Sequence, residues 1–214
     1  MTHLADRHDR GGSLVELYFL RHGQSVARSE WDGEDASRPL TEAGISSLAH
    51  AAWTLARLEV EPDVLITSPM ERAQRTAEIV APALGLEGKL STASSLGRGF
   101  GMKNLRRLLR EHSRAQSVML VGHNPEFTTV IHKLTGAHIA LSKGGLARVH
   151  LSARRSRSAE LVWLLQAHEL VRLAQNHAPS NETASQEATG EPAQTEAAGI
   201  SAGRQDARTR PASS

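Results

Sequence analysis

Apolar residues along this chain come in short, nearly continuous runs, and three of those runs stop abruptly at polar groups. Val15 to Leu20 is apolar apart from Glu16, Val64 to Ile66 is a second run, and Val118 to Val121 a third. Runs this short, bounded by turn signals, fit strands of a parallel sheet covered on both faces. Leu146 to Leu151 and Leu161 to Leu165 predict two more strands, joined by the basic turn Ala153-Arg154-Arg155-Ser156-Arg157, with Trp163 in the core. Between the runs the period becomes helical. Thr41 is placed to cap a helix in which Ile45, Leu48, Ala52 and Leu55 share a face, with Trp53 at its edge. Ser68, Pro69 and Glu71 read as N-cap, first helical residue and capping box of a second helix. Its inner face is Ala73, Ala77, Val80 and Leu84, and Pro82 and Gly85 end it. Asn104 to Glu111 reads as a helix with Leu105, Leu108 and Leu109 inward. Asn124 as cap and Pro125 open another, where Phe127, Val130, Ile131 and Leu134 fall at i, i+3, i+4 and i+7 before Gly136 stops it. Residues 87–101 have no such period and predict a flexible loop. Strands alternating with helices make this an α/β chain.

Composition sets the limits of that domain. Residues 1–13 are polar and predict a disordered lead-in; residues 14–174 hold the periodic segments. From about residue 175 the chain is Ala, Ser, Thr, Gln, Glu, Gly and Pro with one large aliphatic residue, Ile200. Such a tail buries too little apolar surface to offset chain entropy and is expected to be disordered. There is no cysteine, which removes disulfides, thiol nucleophiles and Cys-ligated metals. Neither an apolar signal segment nor a run of membrane-spanning length is present, so a soluble, cytoplasmic protein is the expectation, without a membrane partner. The formal net charge is only +2, which implies no nucleic-acid partner. The charge is nonetheless uneven. Gly88 to Arg110 contains Lys89, Arg98, Lys103, Arg106, Arg107 and Arg110 and no acid. That stretch is either a solvated helix face beside a loop or a surface suited to an acidic or phosphorylated partner.

The candidate chemistry lies where the three apolar runs end: Arg21-His22-Gly23, then Ser68-Pro69 with Arg72, then Gly122-His123. In a parallel sheet these ends share one edge, where ligands of open α/β sheets bind. Two arginines and two histidines can therefore converge. Arginine forks match phosphate oxygens bidentately and stay charged. Amides at helix starts add to an anion field. A histidine with one free ring nitrogen can attack phosphorus and carry the group covalently, while a second offsets developing charge.

Leu20-Arg21-His22-Gly23, Arg38-Pro39-Leu40-Thr41 with Gly44, Ser68-Pro69 with Arg72-Ala73, and Gly122-His123-Asn124-Pro125 resemble the histidine phosphatase (phosphoglycerate mutase-like) superfamily. Small size and the segment Lys143-Gly144-Gly145-Leu146-Ala147 are most similar to its SixA-type phosphohistidine phosphatase branch. The resemblance covers residues 15–170. It implies an α/β three-layer sandwich with a mostly parallel central sheet flanked by helices. It also implies His22 as the transiently phosphorylated nucleophile, with Arg21, Arg72 and His123 completing the phosphate pocket. No metal or cofactor is implied, and a monomer acting on a phosphorylated protein or small phosphorylated substrate is expected.

Two departures from the family pattern bear on function. Arg75 stands where a glutamine is common, either adding charge at the pocket or facing solvent. Phosphomonoester-cleaving branches carry a proton-donating acid after the Arg72 helix, and here that segment has none; Glu126 is the nearest substitute by position. Removal of phosphate from phosphohistidine is therefore the leading expectation, cleavage of small phosphomonoesters the alternative, and a non-catalytic phosphate-binding module a third. Mutase activity is disfavoured because the chain lacks the long insertions that enclose a bisphosphate. His50, His112, His132, His138, His150 and His168 have no metal-ligand spacing and read as structural or solvent-facing.

Overall fold

The structure, a computed structural model, describes residues 14–152 and 159–177. The lead-in expected over residues 1–13, the basic turn at 153–157 and the tail from residue 178 lie outside the described residues. Six strands form one sheet: β1 (Val15–Arg21), β2 (Val64–Thr67), β3 (Leu90–Thr92), β4 (Ser117–Gly122), β5 (Leu146–Leu151) and β6 (Ala159–Leu165). Their order is β3-β2-β4-β1-β5-β6. The first four are parallel; β5 runs antiparallel to β1, and β6 antiparallel to β5. Five helices cover the two faces: α1 (Glu42–Arg57), α2 (Glu71–Val80), α3 (Met102–Glu111), α4 (Glu126–Thr135) and α5 (Ala167–His177). The α/β expectation of a mostly parallel central sheet flanked by helices is met.

The period of two along each strand explains the two cores. Val15, Leu17 and Phe19 of β1, with Val118 and Leu120 of β4, face Leu105, Leu108 and Leu109 of α3 and Phe127, Val130 and Ile131 of α4. Tyr18, Leu20, Met119 and Val121 point the other way, toward Leu55 of α1, Ala77 of α2 and Leu170 of α5. Phe127 is fully buried and meets Phe19 and Phe100 edge-on, at ring separations of 5.2 and 5.8 Å. Truncating such a side chain costs about 3–5 kcal/mol. Because both faces are covered, polar groups needed for chemistry are confined to the strand ends. Among the described residues, no helix is long and apolar enough to cross a membrane.

The structure corrects five expectations. Ser68 does not cap α2, which starts three residues later, after Met70. Ser68 is fully buried; its hydroxyl accepts from Met70 N just ahead of the helix and is also engaged with His123, which ties it to the site. Asn124 does not cap α4 either; its side-chain amide donates to Leu141 O at 3.0 Å. Residues 87–101 are ordered where a flexible loop was expected. They contribute β3 and bury Leu96 and Phe100, two apolar residues too few to establish a period. Finally, α5 was not anticipated. It docks through buried Leu170 and Ala174, and its Leu170 carbonyl accepts from the buried Thr54 hydroxyl at 2.7 Å. Trp163 is half-buried beside Tyr18 rather than within the core.

Candidate active site

β1, β2 and β4 are adjacent and parallel, so their carboxyl ends deliver Arg21-His22, Ser68 and His123 to one edge. The backbone there is tied crosswise. The His22 amide donates to Gly122 O, and the Ser68 amide to Val121 O. The loop before β5 closes over the same edge: Gly144 N lies 3.1 Å from Arg21 O and 3.0 Å from His22 O. Gly144 has φ of 78°, a left-handed conformation that glycine adopts without strain. On the other side α1 approaches so closely that a Cβ on Gly44 would stand 2.2 Å from Gln24 O. That contact pins the turn after His22 to the start of the helix.

His22 is 6% exposed and its Nδ1 lies 2.8 Å from Gly23 O. A carbonyl only accepts, so Nδ1 carries the hydrogen and Nε2 keeps its lone pair. Burial, with further depression from His123, Arg72 and Arg21, outweighs the Gly23 bond and lowers its pKa to about 3. His22 is thus a neutral imidazole with one free, nucleophilic nitrogen. His123 is 7% exposed, with its ring 5.1 Å from that of His22. Burial and the neighbouring Arg72 lower its pKa to about 4, against the opposing pull of Glu126 and Asp35. The hydroxyl of Ser68 accepts from Met70 N, and the acceptor for its own hydrogen is His123 Nε2 at 2.8 Å. His123 then bears its hydrogen on Nδ1 as a donor.

The cations come from three directions. Arg21 is held by Leu141 O at 2.8 Å from its Nη1. Arg72 is 5% exposed; its Nη1 donates to Asp35 O at 2.7 Å and its Nη2 lies 3.3 Å from Asp35 Oδ2. Arg21 Nε, Arg72 Nε and His123 Nδ1 are buried without a protein partner, leaving donor capacity suited to an oxyanion. Asp35 is the hub of the cluster, binding Arg38 at 2.9 Å and Arg98 at 3.2 Å as well as Arg72. Burial would raise its carboxyl pKa, but hydrogen bonds from Arg38 and Arg98 and the charge of Arg72 hold it at about 2. Exposed Lys143 completes the ring; burial, then Arg21, Arg38 and Arg72, depress its pKa. Glu126 and Arg98 share a cleft of about 320 Å³ with Arg72, His123 and Asp35. Glu126 Oε1 accepts from Gly99 N at 3.2 Å.

The four residues expected to form the pocket are brought together, and Glu126 stands at its wall. Arg75 faces solvent, paired with Glu78 at 3.1 Å. Arg38, Arg98 and Lys143 were not singled out as site residues. The proximity of Asp35 to Arg38 at i, i+3 was the available signal; no pattern links either to Arg98, which is 63 residues from Asp35. Among the described residues, no group of three or more His, Cys, Asp or Glu could hold a metal ion.

A neutral imidazole with a free ring nitrogen, beside the half-buried Arg21 and the buried Arg72, is an arrangement suited to holding a phosphoryl group. Residues 17–93, which include Arg21, His22 and Arg72, match the histidine phosphatase superfamily (branch 1). An uncharacterized protein from Picosynechococcus sp. is 34% identical over 150 residues, spanning 66% of this chain and 88% of that protein. The chain belongs to the histidine phosphatase superfamily. Solved structures that share its fold include two phosphatases. A protein histidine phosphatase SixA complexed with tungstate matches with TM-score 0.65 at 22% identity, over 73% of this chain and 99% of that one. The mycobacterial glucosyl-3-phosphoglycerate phosphatase matches with TM-score 0.55 at 16% identity, over 72% and 99%.

Proposed function

We propose that this chain is a phosphohistidine phosphatase of the SixA type, acting through a phosphorylated His22. In the first step Nε2 of His22 bonds to phosphorus as the bond from phosphorus to the substrate nitrogen breaks. The departing imidazole leaves neutral when its other ring nitrogen carries a proton. Arg21, Arg72 and His123 hold the phosphoryl oxygens as charge shifts among them. In the second step water attacks the phosphorus of phospho-His22, releasing inorganic phosphate and restoring the neutral imidazole.

The observation that carries the choice of substrate is the state of Asp35, a carboxylate held ionised by three arginines beside the pocket. It supplies no proton to a leaving group. An alkyl phosphate expels a poor leaving group and calls for a positioned acid, whereas a phosphoimidazole does not. A second reading, cleavage of small phosphomonoesters, rests on Glu126, whose place in the cleft beside His123 makes it the candidate proton donor. The fold shared with a glucosyl-3-phosphoglycerate phosphatase is compatible with that reading.

Steady-state rates on phosphohistidine, phosphoramidate, p-nitrophenyl phosphate and glycerol phosphate separate the two. Substantial rates on the first two, moderate on the third and very low on the last are expected, with Glu126→Gln changing the phosphohistidine rate little. Glycerol phosphate turned over as fast as phosphoramidate, with that rate lost in Glu126→Gln, would replace this reading by the second.

A further inference from the structure

The outward face of α3 carries charge of one sign. Lys103, Arg107 and Arg110 are exposed and Arg106 is half-buried, on the side opposite the buried Leu105, Leu108 and Leu109. The first acid is Glu111 at the last turn, 3.7 Å from Arg107, and exposed Arg114 follows. The other helices do not share this pattern. α2 pairs Arg75 with Glu78, α1 carries Glu42 and Arg57, α4 carries Glu126 and Lys133, and α5 mixes Glu169 with Arg172. Like charges at i, i+4, as in Lys103–Arg107 and Arg106–Arg110, disfavour the free helix. A partner of opposite charge would relieve that repulsion.

The position of the face gives it a purpose. The segment leading into α3 is a wall of the active-site cleft: Arg98 reaches Asp35 at 3.2 Å, and the Gly99 amide binds Glu126. The basic face therefore begins at the cleft and runs away from it along the surface, over about 10 Å from Lys103 to Arg110. A small substrate would fill the cleft without touching that face. A protein presenting a phosphohistidine to His22 would lie across the rim and against it. None of the exposed large apolar residues, Leu14, Trp53, Leu58, Val162 and Leu173, belongs to α3, so the face lacks an apolar anchor for a bilayer. It also lacks an aromatic for stacking on bases.

We propose that the α3 face formed by Lys103, Arg106, Arg107 and Arg110 docks the acidic surface around the phosphohistidine of a protein substrate. This rests on the phosphohistidine reading above and adds that substrate recognition extends outside the cleft.

The test compares wild type with Lys103→Glu/Arg107→Glu/Arg110→Glu on three probes: an acidic protein phosphorylated on histidine, free phosphohistidine, and p-nitrophenyl phosphate. The charge reversal should raise KM for the phosphoprotein on the order of tenfold with kcat nearly unchanged. The two small substrates should be unaffected, which also shows that the variant is folded. Added salt should raise the wild-type KM for the phosphoprotein toward that of the variant. The neutral variant Lys103→Gln/Arg107→Gln/Arg110→Gln should fall between. Equal phosphoprotein kinetics in wild type and reversal would overturn the docking surface alone. So would unchanged phosphoprotein kinetics with loss of binding to an oligonucleotide or to phosphatidylserine vesicles, assigning the face to those ligands instead. A wild type that hydrolyses p-nitrophenyl phosphate but neither phosphohistidine probe would remove the substrate reading and this surface with it.

Discussion

Two clusters of charge sit at opposite ends of β1 and draw on the same residue types. At the amino end, Glu16 accepts from Tyr18 Oη at 3.0 Å and from Arg148, with His150 Nε2 at 3.5 Å. Burial would raise the Glu16 carboxyl pKa, but the Arg148 guanidinium outweighs it and the result is a lowered value. At the carboxyl end, one carboxylate, Asp35, faces Arg38, Arg72 and Arg98, while Arg21 and Lys143 have no carboxylate bound to them among the ion pairs of the described residues. The first cluster balances its charge internally. The second holds more cation than it can neutralise, and that surplus is what a phosphoryl group would fill. Arginine, histidine and acid do not by themselves mark a site; imbalance at the end of a parallel strand does.

The largest effect that would test this contrast is at His22, the proposed nucleophile. His22→Ala should lower kcat by several orders of magnitude and abolish acid-labile, base-stable phosphate trapped on the protein in a quenched reaction. Trapping that persisted would move the chemistry to another residue. Next, Arg72→Ala removes a donor from the surplus end and should cost about a hundred- to a thousandfold in kcat/KM on p-nitrophenyl phosphate, the scale of losing one oxyanion donor.

A third test uses pH. The folded pKa values of His22 and His123, about 3 and about 4, lie below the ordinary histidine value. Between that value, about 6.5, and the folded ones, the unfolded chain binds more protons than the native protein. Stability is therefore fully present above about pH 6.5 and declines as pH falls toward 4. Thermal melts should show a Tm drop of about 5 °C or more over that window, flattened in His22→Asn/His123→Asn. A Tm that held to pH 4 would show that these imidazoles are not buried neutral.

At the balanced end, Glu16→Gln leaves Arg148 without its counter-charge and should lower Tm by a few degrees, corresponding to about 1–3 kcal/mol, with kcat/KM nearly unchanged. A catalytic loss as large as that of Arg72→Ala would erase the distinction between the clusters. Smallest of all, Arg75→Ala breaks an ion pair between side chains about half exposed and should change activity less than twofold and Tm hardly at all.

How much of this could be read from the chain follows from what each feature depends on. β1, β2 and β4 were legible because strands buried on both faces are written as nearly continuous apolar runs, and the residues just past them became the candidate site. β3 was not, since three residues with Leu90 half-buried carry no period. Ser68 and Asn124 were misread as caps because a hydroxyl or amide at a strand end looks the same whether it serves a helix, a neighbouring side chain or a distant carbonyl. Lys143 was read only as part of a resemblance; its nearness to Arg21 depends on a loop folded back over 120 residues of intervening sequence, since the Arg21 guanidinium is held by Leu141 O. Arg98 lay in a stretch whose charge was noticed but whose course was not.

The position of β1 within the sheet has a consequence for how the protein comes into being. Among the described strands it comes first in chain order, yet its two neighbours are β4 and β5, whose residues pair with it across more than a hundred positions. Until residue 122 is available, β1 has no parallel partner, and until residue 151 its other edge stays bare. Such non-local pairing slows folding, and an unpaired apolar strand invites association with other chains. The geometry of His22 is accordingly among the last things to be fixed, since the amide of Gly144 must return to its carbonyl before the turn is closed. A nascent chain holding every residue through Arg72 would still lack the pairing that places His22, so the site would come together only once the residues through β5 have been made.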